Sequence, residues 1–371
     1  MPWHESECLI RQSRTPIIKT VVVYGWSRVF LYPPKHWIAH TERVAMSTNT
    51  KEVRRFALFI SAITAISLAI SGCSSQPAQV IDQQPKTSQF VLDSFQDGQF
   101  LTPFEAGKAE IGLTLEALTN LSLLGYTREQ LDASIDWATS NTALLTSPGL
   151  KATYVFTAYA AGFGDHPTVP SVLYDLKAAI DSEGYVADTN NFAYSWIVLA
   201  LIASENNELA SKVAVQLANN AESTGGYKYT KGDDQSAEAA DVTSFAVMAI
   251  KATEGFGSED AESTKSLANE KSLTWLKDNL VEGTHYVAYD ALDLAGTSYG
   301  AMALIASDED ATKSVEWLAS QINETDSGIP SAYSEGASDV FTSVQALLPL
   351  SSLTFIDVVN KINNERNKDN S

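Results

Sequence analysis

The sequence predicts an all-α fold, a closed ring of six helical hairpins, from two observations. Twelve-residue stretches that end in Ala and a Leu, Ile or Tyr recur along the chain, with marker alanines at Ala117, Ala158, Ala200, Ala249, Ala303 and Ala346. Amphipathic segments with an aromatic residue at an equivalent place lie between them, at 134–140, 171–180, 272–280 and 314–322. A unit of this kind, repeated along the chain, is typical of helical arrays.

The two kinds of segment predict two layers of helices. Stretches such as 239–250 are apolar around most of a helix, which is typical of a helix buried on all sides. The amphipathic segments have one charged face and predict outer helices. Turns with glycine, as at Gly98, Gly184 and Gly283, end outer helices. Six hairpins bury their inner helices best by closing into an α6/α6 toroid, a barrel over residues 90–365; an open superhelix is the alternative.

The repeated unit resembles the α/α toroid superfamily of protein prenyltransferases, terpene and squalene cyclases, complement thioester domains and cobalamin carriers. The resemblance is carried by segments such as SVEWLASQINETDSGI (314–329) and AADVTSFAVMAI (239–250). It implies the toroid fold. It implies no single function, because the group contains both enzymes and binding proteins.

The N-terminal part predicts export and lipid attachment. Residues 46–72 combine a basic start, the apolar run FALFISAITAISLAI and small residues, as in a signal peptide. Ile70-Ser71-Gly72-Cys73 resembles the lipobox of bacterial lipoproteins, which implies lipidation of Cys73 and a place in the bacterial cell envelope, outside the cytoplasm. An ordinary secretory signal is the alternative. Residues 73–89 are polar and predict a tether, and residues 1–45 are interpreted as a non-native upstream extension, with the natural start at Met46.

Charge restricts the partners. Residues 73–371 hold 41 acidic and 16 basic side chains, a formal charge of about −25. Such a surface repels nucleic acid and anionic headgroups, so the N-terminal lipid would hold the protein at a membrane. The expected partners are the membrane and an unidentified small molecule or envelope component, with no nucleic acid.

The sequence lacks the residues that the known toroid enzymes use for catalysis. No cysteine follows Cys73, which excludes a thiolate zinc site and an internal thioester, and no Asp-x-Asp-Asp motif occurs. Only His166 and His285 remain as imidazoles, so no metal and no cofactor is expected. His285 and Tyr286 form the best pair for a lyase. No residue is predicted to be catalytic.

Candidate ligand-binding residues lie where the inner helices begin. They are carboxylates, which would share one mouth if the inner helices are parallel, and aromatic residues of the first turns: Asp188, Asp241, Asp290, Asp293, Asp339, Tyr194, Trp196 and Tyr299. Helix capping is the alternative role for the acids, and core packing for the aromatics.

These observations favour a non-catalytic protein that binds a small or apolar ligand in the ring mouth. One alternative is an enzyme, terpene cyclase-like or of the glycosidase or lyase kind, that uses rim carboxylates on glycans or polyprenyl lipids. The other is an envelope scaffold.

Overall fold

The computed structural model describes residues 80–369 and confirms the all-α toroid. The upstream extension, the signal peptide, Cys73 and the first part of the predicted tether lie outside the described residues. The helices are α1 (Val80–Asp93), α2 (Ile111–Leu123), α3 (Arg128–Ser140), α4 (Pro148–Ala160), α5 (Thr168–Ala178), α6 (Asn191–Ala203), α7 (Asn207–Ala218), α8 (Ala240–Lys251), α9 (Glu259–Asp278), α10 (Leu294–Ala306), α11 (Thr312–Ser320), α12 (Val340–Leu350) and α13 (Phe355–Asp369).

The six even-numbered helices from α2 to α12 form the inner ring. Each contacts the next, and α12 returns to contact α2, so the ring is closed. The closing contact includes a buried hydrogen bond of 3.0 Å in which Asn120 Nδ2 donates to the Val344 carbonyl. The marker alanines, such as Ala117 and Ala346, are fully buried. Small residues at these positions let the inner helices pack closely, and closure excludes the open superhelix.

The odd-numbered helices from α1 to α11 form the outer layer. Helices α3, α5, α7, α9 and α11 each pack on the inner helix that precedes them, while α1 packs on α12 and completes the sixth hairpin across the chain ends. Residues 80–89 were assigned to the tether, and the structure places them in α1 instead. This polar helix is held by its buried residue Val91, by Phe95, which follows the helix and is also buried, and by the 2.9 Å hydrogen bond between Ser88 Oγ and Tyr126 Oη.

The glycine turns place the chain directly against the next outer helix. Gly184 and Gly225 have φ of +86° and +97°, which is left-handed backbone that favours glycine. A Cβ on Gly184 would lie 2.5 Å from the backbone of Lys212, and one on Gly225 would lie 2.4 Å from the carbonyl oxygen of Lys271. Both turns therefore need glycine for conformation and for space.

All six inner helices begin at the same end of the ring, because each is followed by an outer helix that returns. We call this end the mouth face and define it by the loops that precede the inner helices: 94–110, 141–147, 179–190, 219–239, 279–293 and 321–339. Two of these loops carry antiparallel pairs, β1 (Tyr286–Ala288) with β2 (Ala291–Asp293) and β3 (Ile329–Pro330) with β4 (Ser338–Asp339).

Helix α13 crosses the opposite end of the ring. Lys361 Nζ donates to the carbonyl of Ala160 at 2.8 Å, and Arg366 donates to the carbonyl of Ala203. These carbonyls end α4 and α6, where helix dipoles are negative and cationic side chains are stabilising. Helix α13 therefore closes this end through both charge and packing.

Within residues 80–369 no single helix has the length and apolar character to cross a membrane. The helices Val340–Leu350 and Phe355–Lys368 reach the required length and apolar character only when they are taken together, and they are bent by 66° relative to each other.

Candidate functional site

The predicted carboxylates at the helix starts are largely engaged as caps. Asp293 Oδ1 accepts from the Gly296 amide at 2.8 Å, and Asp339 Oδ1 accepts from the Thr342 amide at 2.7 Å. In α8 the Val242 amide donates to Asp241 Oδ1 at 2.8 Å. These bonds satisfy amides that lack partners inside the helix. The capping alternative thus describes Asp293 and Asp339, which are N-cap residues, whereas Asp241 lies within the first turn of α8 and the N-cap residue of that helix, Ala239, makes no side-chain cap bond.

The other two predicted acids lie in turns of the mouth face. Asp188 and Asp290 are exposed and have φ of 52° and 62°. Asp tolerates left-handed backbone better than most residues with a side chain. Both carboxylates face solvent on the mouth face, while Asp293 is 8% exposed. The structure therefore places the predicted acids on one face of the ring, with different degrees of access.

Tyr194 has a role that other repeats give to a hydroxyl of Thr or Ser. Its Oη accepts from the Val186 amide at 2.9 Å and donates to the Val186 carbonyl at 3.2 Å. In the corresponding places Thr243 accepts from the Tyr227 amide and Thr297 from the Tyr286 amide. Each bond fixes the chain that leads from the turn into the inner helix. Burial raises the pKa of Tyr194, and the side chain is 3% exposed.

The centre of the ring is filled by aromatic side chains. Phe192 of α6 lies 5.5 Å, between ring centroids, from Tyr299 of α10, and these helices are not neighbours in the ring. Their contact therefore crosses the interior. The full cluster comprises Phe156, Phe192, Trp196, Phe245, Tyr299 and Phe355, all buried.

Phe355 joins this cluster from the end opposite the mouth. Its ring lies 5.1 Å from Trp196, 5.3 Å from Phe245 and 6.0 Å from Tyr299. Aromatic pairs at such separations contribute beyond their burial. The predicted residues Trp196 and Tyr299 are fully buried in this core, below the mouth face rather than at its surface.

A buried acid lies beside the cluster. Glu116 of α2 is fully buried, and its Oε1 accepts from Tyr299 Oη at 2.9 Å; Oε2 has no hydrogen-bond partner among the described residues. Burial raises the pKa of Glu116 to about 8, against a smaller lowering by the Tyr299 hydroxyl. Burial also raises the pKa of Tyr299 far above its usual value, and Glu116 and Asp241 raise it further. At neutral pH both groups are mainly uncharged.

The sequence did not identify Glu116 as a site residue. A signal was present, since it is the one charged residue of the apolar stretch IGLTLEALTNLSL. A charge on an otherwise apolar inner helix is costly unless it is paired or neutral.

The pair His285 and Tyr286 packs against the outer layer. The His285 ring stacks on Trp317 of α11, with centroids 4.5 Å apart and 11° between the planes. Tyr286 Oη donates to the Leu276 carbonyl of α9 at 2.9 Å. The contacts of these two side chains are therefore with α9 and α11 and not with the interior carboxyl Glu116.

Exposed apolar side chains concentrate on the mouth face. Ten large apolar residues are exposed among the described residues, and seven of them belong to five mouth loops: Phe104, Leu144, Tyr185, Val287, Tyr289, Leu292 and Tyr333. Phe104 and Tyr333 are 69% and 65% exposed. Single exposed apolar residues are ordinary, whereas a concentration of them marks a binding surface.

The mouth face is also strongly acidic. Its six loops carry 17 Asp and Glu residues and three Lys residues. Among residues 80–369 no group of three or more His, Cys, Asp or Glu side chains has the arrangement of a metal site. The acids are thus distributed around the face instead of gathered into one ion-binding cluster.

Comparisons with known proteins support the fold. No family model matches the chain, and no curated protein matches it. The solved structures include haptocorrin in complex with Cbi, with 15% identity, a TM-score of 0.54 and coverage of 77% of this chain and 70% of that one. They also include the type II terpene cyclase MstE from Scytonema without ligand, with 13% identity, a TM-score of 0.53 and coverage of 73% and 97%.

A further MstE structure, the R337A variant with geranylgeranyl dihydroxybenzoate, has 12% identity and a TM-score of 0.55 and covers 76% of this chain and 98% of that one. At these identities the likeness establishes a shared α/α toroid fold. The fold neighbours thus include both a ligand carrier and terpene cyclases.

Proposed function

We propose that this protein is a lipid-anchored, extracytoplasmic binding protein of the bacterial cell envelope that holds an apolar or partly apolar ligand on the mouth face and carries out no reaction. The concentration of exposed apolar side chains on five of the six mouth loops carries the proposal. Haptocorrin, which shares the fold, is a precedent for a toroid that holds a ligand. The expected small or apolar ligand would contact these side chains.

The state of the interior supports binding over chemistry. Contacts between inner helices that are not neighbours in the ring, such as Phe192 of α6 with Tyr299 of α10, fill the axis with side chains. The carboxylates of Asp293 and Asp339, which the enzyme alternative would use, hold helix amides. A carboxylate that accepts hydrogen bonds from helix amides is stabilised in its charged form, so it serves poorly as a proton donor.

Native mass spectrometry of the full chain, extracted from membranes in mild detergent, tests binding. We expect a bound mass that survives purification of the wild type. The Phe104→Ser, Tyr185→Ser, Tyr333→Ser triple variant should lose it. A matched variant of the outer surface, Tyr174→Ser, Phe256→Ser, Leu267→Ser, should retain it, because these residues are exposed but lie away from the mouth. A mass that the outer variant loses and the mouth variant keeps would instead favour the scaffold alternative.

The lipid anchor rests on Cys73 and its preceding residues. Cells fed an alkyne-labelled fatty acid should yield labelled protein from the wild type and unlabelled protein from Cys73→Ser. Equal labelling of the two would contradict lipidation at this residue. The Cys8→Ser variant is the matched control and should be labelled like the wild type.

A second candidate function rests on Glu116. When the packed interior opens to admit an apolar substrate, a protonated carboxyl beside aromatic rings can add its proton to a carbon–carbon double bond, and the rings favour the resulting cation. Loss of a neighbouring proton from the cation to the Glu116 carboxylate then yields an isomer and restores the acid. Incubation with geranylgeranyl dihydroxybenzoate, the compound held by the related cyclase, tests it by chromatography of isomers. Product that disappears in Glu116→Gln supports this function. Absence of product, or product that the variant forms equally well, contradicts it.

A further inference from the structure

The exposed apolar side chains of the mouth face extend across most of its circumference. Phe104 precedes α2, Tyr185 precedes α6, Tyr289 precedes α10 and Tyr333 precedes α12. Their exposed fractions range from 52% to 69%. A ligand that contacts several of them at once must therefore span the loops of different hairpins.

The face is supported from below by packed side chains. Phe192 lies in the first turn of α6 and is 4% exposed, and the Phe245 ring lies 4.9 Å from it. Below them Trp196 and Phe355 continue the packing toward the other end. Sites for small molecules are concave and bury most of the ligand surface. On this face the exposed side chains point outward and the ring below them is filled. Such a face is better matched to a partner with an extended contact surface than to a small molecule.

Charge identifies the kind of partner. The 17 acidic and three basic side chains of the mouth loops leave an excess of 14 negative charges. Acids accompany the exposed aromatics along the chain: Glu105 follows Phe104, and Glu335 lies two residues after Tyr333. Aromatic faces attract Lys and Arg side chains, and a field of one sign steers partners of the opposite sign.

On the basis of the proposed binding function, we infer that the mouth face docks a cationic segment of another polypeptide. Lys or Arg side chains of that segment contact the carboxylates and lie over Phe104, Tyr185 and Tyr333, while its apolar side chains cover Leu144 and Leu292. Surface charge attracts and orients the segment, and the apolar contacts retain it.

Labelled peptides test this inference on the full chain in detergent. Three 15-residue probes differ only in charge: five repeats of Lys-Leu-Gly, of Ser-Leu-Gly or of Glu-Leu-Gly. Fluorescence anisotropy at 150 mM salt should show binding of the Lys peptide, at least tenfold weaker binding of the Ser peptide and none of the Glu peptide. The triple variant Phe104→Ser, Tyr185→Ser, Tyr333→Ser keeps the protein charge and should weaken Lys-peptide binding at least tenfold. The variant Tyr174→Ser, Phe256→Ser, Leu267→Ser should change it less than twofold.

The other outcomes separate this inference from the function on which it rests. If the Ser peptide binds as tightly as the Lys peptide and the mouth variant weakens both, the mouth binds apolar ligands, and only the cationic inference is overturned. If both triple variants bind the Lys peptide like the wild type, attraction to the whole acidic surface explains the binding, and docking on the mouth is overturned. If no peptide binds while native mass spectrometry finds a ligand lost only in the mouth variant, the partner is a small molecule. If neither measurement finds a ligand, both proposals fail.

Discussion

Tyr299 of α10 donates a hydrogen bond of 2.9 Å to Glu116 of α2 inside the ring, although α12 lies between these two helices. Both side chains are fully buried, and the free oxygen Glu116 Oε2 has no hydrogen-bond partner within the described part of the chain. The pair links two inner helices that are not neighbours in the ring through an acid that is mainly protonated at neutral pH, because burial raises its pKa to about 8.

The stability of the fold should therefore fall as the pH rises from about 4.5 to 8. The pKa of Glu116 is higher in the folded chain than its ordinary value of 4.5, so the unfolded chain loses this proton first. Ionisation of the unfolded state alone favours unfolding, up to roughly 5 kcal/mol above pH 8 for a shift of this size. Urea unfolding between pH 5 and 9 should show this loss in the wild type.

Glu116→Gln should remove that part of the pH dependence, because the amide keeps the shape of the side chain and does not titrate. Glu270→Gln, an exposed change on α9, is the control and should follow the wild type. If the wild type and Glu116→Gln respond to pH identically, the protonated state of Glu116 is contradicted.

Lys265→Met should destabilise the protein by about 3–5 kcal/mol. Lys265 Nζ lies 2.6 Å from Glu262 Oε1, donates to the Thr253 carbonyl at 2.7 Å and contacts Ser211 Oγ at 3.3 Å. Its side chain is 3% exposed, so the variant leaves buried acceptors without a donor. Lys271→Met changes an exposed residue of the same helix and should change the free energy of unfolding by about 0.5 kcal/mol or less. Equal midpoints of urea unfolding for the two variants would contradict the importance of this contact.

Phe355→Ala should cost about 3–5 kcal/mol, because it removes the ring that joins four inner helices from the closed end. Thermal and urea unfolding measure the loss. Tyr174→Ala, on a residue that is 74% exposed, serves as the comparison and should be nearly neutral. A neutral Phe355→Ala would show that the ring centre is less filled than described.

Tyr194→Phe distinguishes structure from binding. Loss of the hydroxyl leaves the Val186 amide unpaired in the core and should cost about 1–3 kcal/mol, with the bound mass unchanged in native mass spectrometry. Tyr185→Phe, on the exposed neighbour, should keep full stability. Loss of the bound mass at unchanged stability would instead support the ligand-binding role predicted for Tyr194 from the sequence.

The repeat made the inner helices and their ring predictable, because Ala117 and its counterparts recur where helices pack closely. The glycine turn at Gly184 was also predictable from the sequence, since left-handed backbone there favours glycine. Helix α1 was missed from Val80 to residue 89, because its polar composition is typical of a tether and its order depends on packing against α12.

The spacing of residues along the sequence could not show how far below the mouth face the predicted site residues lie. Trp196 and Tyr299 lie on the side of their helices that faces the axis, and the filling of that axis depends on Phe355, which comes from a helix outside the repeat. The exposure of Phe104 and Tyr333 likewise depends on loop conformation, which no periodic pattern describes.

Oxidative footprinting of the tyrosines, in intact cells and in purified full-length protein, tests most directly whether the mouth face is the binding surface. Tyr185 and Tyr333 on the mouth and Tyr174 on α5 are all more than half exposed, so each reacts in the purified protein unless a ligand covers it. In cells we expect Tyr185 and Tyr333 to be protected and Tyr174 to react as in the purified protein. Protection of Tyr174 with full reaction of Tyr185 and Tyr333 would contradict the proposed binding surface.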